Sequence, residues 1–282
     1  MTQPENSTIT FPSREAIPRL GQGTWGLGED PGRRDDEIDA LRTGIDLGLT
    51  VIDTAESYAD GNAETLVGTA LGNRREDVFL ITKVSAENAA GTGAADACER
   101  SLRRLGTDRI DLYLLHWRGA SALDETVETF NSLIAQGKIR HWGVSNFDVP
   151  DLSELTAISG GTAVETDQVL YNLARRSIEW DLLPRCREAH LPVMAYSPLE
   201  RGRMLDHPAL RTVAERHDAT PAQVGLAWVL HQDGVCAIPR AGNVEHVRQN
   251  HAALRIDLTP DDLAELDRAF PPPTGPTPLP II

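Results

Sequence analysis

Lysine is nearly missing from this chain: Lys83 and Lys138 are its only two, although 27 of the 282 residues are basic. Acidic residues outnumber basic ones, 42 to 27, for a formal net charge of −15. Such a charge repels polyanions and excludes nucleic acid and anionic membrane as partners, so the arginines read as a scattered surface. Cysteine is scarce as well. Cys98, Cys186 and Cys236 are odd in number and far apart, which excludes a disulfide scaffold, and buried reduced thiols are expected. No Cys/His spacing fits zinc, and no metal is expected. No apolar run approaches the roughly 20 residues that a membrane helix needs. Residues 1–7 are polar, lacking both the basic region and the apolar segment of a signal peptide, and the expected location is the cytoplasm.

At 40% hydrophobic and 24% charged residues, the chain can bury a large core, and no break in composition divides it. A single domain over 1–282 is expected. A short N-terminal β-hairpin is read at 8–11 and 14–17, before a first strand at 19–23. Gly21, Gly23 and Gly26 match the dinucleotide pattern G-x-G-x-x-G, but a loop follows them where that motif needs a helix. Helical periodicity starts only at Asp36. From there strand-like and helical runs alternate: 51–53 then 64–71, 78–82 then 94–105, 110–115 then 123–135, 139–144 then 149–158. The series continues with 164–169 then 178–189, 193–196 then 210–216 and 222–231, and 235–238 then 244–254. About eight β/α units in one series predict an α/β fold of the (β/α)8 barrel type, a TIM barrel.

The stretch Val-Ile-Asp-Thr-Ala-Glu-Ser-Tyr, 51–58, delivers a carboxylate and a phenol to one strand end. Alone, Asp53 reads more readily as a helix cap and Tyr58 as loop packing. The same pattern recurs, however. Asp53, Lys83, His116, Ser145 with Asn146, Gln168, Ser197 and Arg240 each stand at, or one residue past, the carboxyl end of a separate predicted strand. In a barrel those ends make one rim, where active sites of this fold are built. A phenol titrates near pH 10, and a neighbouring ammonium stabilises phenolate and lowers that value. Tyr58 is therefore read as a general acid, Lys83 as its electrostatic partner, Asp53 as the group orienting Lys83, and His116 as a donor to a substrate oxygen. Lys83 on a barrel strand also allows Schiff-base chemistry.

These residues resemble the aldo-keto reductases over almost the whole chain. The segment 52–58 is similar to that family's catalytic Asp and Tyr motif. Leu-Gly-Thr-Asp-Arg-Ile-Asp-Leu-Tyr-Leu-Leu-His-Trp, 105–117, and Gly-Lys-Ile-Arg-His-Trp-Gly-Val-Ser-Asn-Phe, 137–147, are similar to two of its longer signatures. The resemblance implies hydride transfer from a nicotinamide cofactor to an aldehyde or ketone, with Asp53, Tyr58, Lys83 and His116 as the catalytic tetrad. It further implies that Ser145, Asn146 and Gln168 hold the carboxamide and that Tyr196 stacks on the nicotinamide. Ser197, Leu199 and Arg201 fall where the pyrophosphate passes, Thr24 and Trp25 join the cofactor site, and Gln249 and Asn250 match adenine contacts.

Arg240 stands where many relatives have the lysine that meets a 2′-phosphate, and His246 where many have an arginine. NADPH is the expected cofactor, with NADH possible. Ala59 departs from the family's usual glycine, and Asp60-Gly61 is expected to make the turn instead. The short connection after His116 implies an open pocket shaped by Trp25, Tyr58, His116, Trp117 and the tail 270–282. Short-looped bacterial relatives take small reactive aldehydes and dicarbonyls such as methylglyoxal, the substrate class implied here. The family is often monomeric. A cofactor-binding regulatory protein of this fold and a Schiff-base aldolase using Lys83 are the alternatives.

Overall fold

A computed structural model describes residues 8–89 and 91–282. The polar stretch 1–7 lies outside the described residues. The hairpin forms from β1 (Thr8–Thr10) and β2 (Ala16–Pro18), paired antiparallel, with Arg14 at φ 75 in its turn. Eight parallel strands follow: β3 (Gln22–Gly23), β4 (Val51–Asp53), β5 (Phe79–Val84), β6 (Ile110–Leu115), β7 (Ile139–Ser145), β8 (Asp167–Leu170), β9 (Val193–Tyr196) and β10 (Val235–Ala237). Each pairs with the next in chain order, and parallel bridges Leu20–Ala237 and Gly23–Arg240 join first to last. The sheet is therefore a closed barrel. Closure there depends on a missing side chain, since a methyl group on Gly23 would lie 2.6 Å from the Ile238 carbonyl oxygen.

The helices are α1 (Arg34–Asp46), α2 (Asn62–Leu71), α3 (Thr92–Leu105), α4 (Leu123–Ala135), α5 (Val149–Ala157), α6 (Leu182–Glu188), α7 (Pro208–Arg216), α8 (Pro221–His231), α9 (Val244–Ala252) and α10 (Pro260–Ala269). Two differences from the sequence reading have local causes. The helix read at 178–189 starts instead at Leu182, because the Asp181 carboxylate caps it and residues 177–179 form a separate 3-10 turn. Helix α10, which periodicity left unread, begins at a Thr259/Asp262 capping box with Pro260 at its first position. The Gly21–Gly26 pattern does run from strand into loop, with Gly26 and Gly28 both at φ 76 before α1 begins.

Two apolar layers result. The larger one lies between sheet and helices, from Leu20 and Ile52 through Tyr113 and Trp142 to Val193 and Val235. The smaller one fills the barrel: Val51, Ile81, Leu112, Leu114, Met194, Cys236 and Ile238, closed below by Ile9, Phe11 and Ile17 of the hairpin. Burying each such aliphatic side chain stabilises the fold by roughly 1.5–3 kcal/mol. Because side chains alternate along a strand, the residue two positions after each inner apolar group also points inward, one layer higher. Val51 is thus followed by Asp53, Ile81 by Lys83, Leu114 by His116 and Met194 by Tyr196. The interior changes from apolar to polar at a single level.

The cysteines are free and buried in α3, α6 and β10, and burial pushes the Cys98 and Cys236 thiols up to about 12. Among the described residues no helix is long and apolar enough to cross a membrane.

Candidate active site

The two lysines have opposite surroundings. Lys138 lies toward the surface, paired with Glu99 at 2.5 Å, whereas Lys83 has no exposed surface at all. Its ammonium donates to Asp53 Oδ2 at 2.7 Å, to the Thr54 carbonyl at 2.7 Å and to the Tyr58 hydroxyl at 3.2 Å. All three donors of Nζ are used. Burial alone would lower the Lys83 pKa, but Asp53 and Tyr58 outweigh it and hold the pKa above the ordinary lysine range. Asp53 is fixed from the other side as well: Gln168 Nε2, across the barrel, donates to Oδ1 at 2.8 Å.

Tyr58 behaves differently from the sequence expectation. Burial of its hydroxyl raises its pKa by more than Lys83 lowers it, so the phenol is held protonated above its usual range. Its ring stands edge-on to His116 with centroids 5.7 Å apart. Burial, aided by Lys83, depresses His116 to about 3, so the imidazole is neutral at physiological pH. Its Nδ1 is buried without a partner, while the ring borders the cavity and stacks on Trp117 at 4.5 Å.

The loop carrying Tyr58 turns at once. Ala59 has φ 49 and Asp60 φ 52, and Gly61 follows at φ 86, so the turn starts at Ala59 rather than being deferred to Asp60-Gly61. A left-handed alanine costs roughly 1–2 kcal/mol. Asn146 (φ 60), Ser197 (φ 46) and Arg201 (φ 54) are in the same region and border the same cavity. Strain of this kind gathers at functional sites.

Glu56, whose place inside the 51–58 stretch was the only sequence signal for it, ties this loop to the next strand. Its carboxylate accepts from the Ser85 amide at 2.9 Å and Asn88 Nδ2 at 3.0 Å, while its own amide donates to the Lys83 carbonyl at 3.3 Å.

The cavity above these groups measures about 850 Å³ and runs along the rim. Of the residues read from the sequence, Trp25, Asp53, Tyr58, His116, Trp117, Ser145, Asn146, Gln168, Tyr196, Ser197, Leu199, Arg201, Arg240, His246, Gln249 and Asn250 all line it. Gln168 is the second residue of its strand and Arg240 lies three past its own, so the rim register is looser than the sequence reading had it.

Two residues are not in the lining. Lys83 lies beneath it, and Thr24 is buried, with its hydroxyl donating to the Asp53 carbonyl at 3.0 Å. Polar groups near the centre are already ordered: Tyr196 donates to Asn146 Oδ1 at 2.9 Å, Asn146 Nδ2 to the His116 carbonyl at 3.0 Å, and Ser145 to the Gln168 carbonyl at 2.7 Å. Burial pushes Tyr196 up to about 12. The Arg201 guanidinium lies 4.2 Å over the Trp25 ring, joining two loops across the cavity. Of the tail, only Ile281 and Ile282 reach the lining, while Phe270 stacks on His207 at 4.5 Å.

Known proteins resemble this chain in sequence and fold. The chain is 51% identical to "Methylglyoxal reductase YeaE" of Escherichia coli (strain K12) over an alignment of 283 residues, covering 99% of this chain and 100% of that protein. A crystal structure of an aldo/keto reductase from Klebsiella pneumoniae in complex with NADP and acetate superposes with a TM-score of 0.96 at 49% identity, covering 98% of this chain and 99% of that one. A second structure from Klebsiella pneumoniae, in complex with NADPH, gives 0.96 and 49% with all of both chains covered. The model of the Aldo/keto reductase family matches residues 19–270, and the chain belongs to that family.

Proposed function

We propose that this protein reduces small reactive aldehydes and dicarbonyls, methylglyoxal among them, to alcohols with NADPH, and that Tyr58 is the general acid. The observation carrying this reading is the buried Asp53–Lys83 pair, which reaches the half-buried Tyr58 at the wall of a cavity beside a neutral His116. The likeness to the E. coli methylglyoxal reductase supports the substrate class, and the two Klebsiella structures support the cofactor.

The residues fit a dinucleotide. A cavity of about 850 Å³ whose lining includes Trp25, Arg201, Arg240 and Asn250 has room for one and presents cations to its phosphates. Ser145, Asn146 and Gln168 would hold the carboxamide and Tyr196 the nicotinamide face, with Thr24 behind Asp53 and Trp25 above. Ser197, Leu199 and Arg201 would follow the pyrophosphate, Gln249 and Asn250 the adenine, and Arg240 with His246 a 2′-phosphate. When bound, the nicotinamide supplies the hydride for the carbonyl carbon.

The protein's own groups handle the proton. The Tyr58 oxygen accepts from Lys83, which leaves the phenolic hydrogen free for the cavity. Burial keeps that hydrogen in place until a developing alkoxide takes it. The phenolate then formed faces an ammonium that Asp53 keeps charged, so the cost of making an anion in a dry site falls as the transfer proceeds. His116, neutral, donates to the carbonyl oxygen without competing as an acid. We place this activity in a single domain over 1–282, working as a cytoplasmic monomer on a small-molecule carbonyl, with no nucleic acid or membrane partner.

The test is absorbance at 340 nm with purified protein, NADPH or NADH, and methylglyoxal or a nitrobenzaldehyde. Oxidation of NADPH in preference to NADH is expected. Cofactor binding without turnover of either carbonyl would refute the reading.

A further inference from the structure

At the rim between α1 and α9 a second arginine approaches Arg240. These helices pack side by side as neighbours around the barrel, so both N-termini face the rim. At the start of one stands Arg33; just before the other lies Gly242, followed by the Asn243 cap. A methyl group on Gly242 would lie 2.8 Å from Arg33 Nη2 and 3.5 Å from Arg240 Nη2, so two guanidinium groups converge on one bare patch of backbone.

Like charges brought together this way repel unless an anion lies between them. None is supplied by the protein: among the described residues neither arginine forms an ion pair, in a molecule where acids outnumber bases. Glu29, on the same rim, is within ion-pairing distance of neither. Arg33 immediately precedes α1, and among the described residues its guanidinium makes no hydrogen bond. Arg240 gives only one hydrogen bond, from Nη2 to the Gly26 carbonyl at 3.2 Å. Two unpaired guanidiniums beside two helix N-termini suit a phosphomonoester dianion, because each fork matches phosphate oxygens and the helix ends add partial positive charge.

We infer that Arg33 is a second arginine for the cofactor's 2′-phosphate, binding it from the α1 side opposite Arg240 and selecting NADPH over NADH. The inference rests on the NADPH reading above and deepens it. It also accounts for His246, which stands on α9 with its backbone amide donated to Asn243 and is a weak phosphate ligand when neutral. Charge missing at that position is restored from a different element.

The experiment measures dissociation constants for NADPH and for NADH by quenching of intrinsic fluorescence in the wild type, Arg33→Ala, Arg33→Lys and Arg240→Ala. Arg33 is exposed, so its variants are expected to fold normally. Arg33→Ala should weaken NADPH about tenfold, a loss of one charge-assisted phosphate contact, and leave NADH within about twofold. Arg33→Lys should recover part of the loss. Equal effects on the two cofactors, or none, would overturn the assignment. If Arg240→Ala alone abolishes discrimination, only the role of Arg33 fails; a wild type that does not discriminate at all removes the NADPH reading with it.

Discussion

Replacing Lys83 by methionine removes a cation without removing its surroundings, and the structure sets the size of the effect. The ammonium, itself without solvent contact, satisfies Asp53 at 2.7 Å, the Thr54 carbonyl at 2.7 Å and Tyr58 at 3.2 Å. After the change, buried Asp53 keeps one side-chain donor, Gln168 at 2.8 Å, and the Thr54 carbonyl loses its lysine. Breaking a buried ion pair from one side costs about 3–5 kcal/mol, because the remaining charge stays desolvated. Methionine fills much of the volume, so little of this loss is cavity formation.

The assay is urea unfolding followed by fluorescence and far-UV circular dichroism. With a slope of about 3 kcal/mol per molar, the midpoint should fall by more than about 1 M. Asp53→Asn together with Lys83→Met removes both charges and should cost less than the sum of the single changes by about 1–3 kcal/mol. A Lys83→Met loss below about 1 kcal/mol, or costs that simply add, would refute the claim that this pair is a tightly coupled buried unit.

Further predictions follow from the site and its supports. With His116 depressed to about 3, kcat should show no ionisation near the ordinary imidazole value of about 6.5, and an inflection there that vanishes in His116→Gln would show the ring to be protonated in the enzyme. Where the hairpin meets β7, Glu165 first and Glu15 second raise His141. A raised folded-state value means that stability from this cluster is complete below about 6.5 and is lost as pH rises through the folded value, so wild type, but not His141→Gln, should lose melting temperature across that window. Glu56→Gln keeps an acceptor for Ser85 and Asn88 but gives up charge against Arg100, 3.6 Å away, so activity should fall less than threefold; Glu56→Ala, which frees the Tyr58 loop, should lower kcat about tenfold or more with NADPH affinity intact. Equal kcat for the two Glu56 variants would show that loop tethering does not matter.

What the sequence made legible follows a rule of period two. Inner apolar residues and the polar groups two places later appear as strand runs ending in Asp53, Lys83 and His116, and this pattern needs no three-dimensional information. Gln168 and Arg240 sit off that register, since strand ends there depend on hydrogen bonding to neighbours rather than on the run of apolar residues. The direction of the Tyr58 shift was not legible either: it is a balance between desolvation and a nearby charge, and sequence names the charge but not the depth of burial. Arg33 escaped for a related reason. Its partner Arg240 is more than 200 positions away, and only the closing of the barrel brings α1 against α9. The hairpin was read correctly as two short strands, yet its use as the floor of the barrel depends on Ile9, Phe11 and Ile17 meeting strands from along the chain.

The most direct test of the central claim is the Tyr58→Phe variant, which removes one oxygen and leaves the ring beside His116. Its kcat with NADPH and methylglyoxal should fall by about 10²–10⁴, with the NADPH dissociation constant unchanged, because only the proton donor is lost. Turnover that survives intact in Tyr58→Phe would contradict the account and require the proton to come from another group.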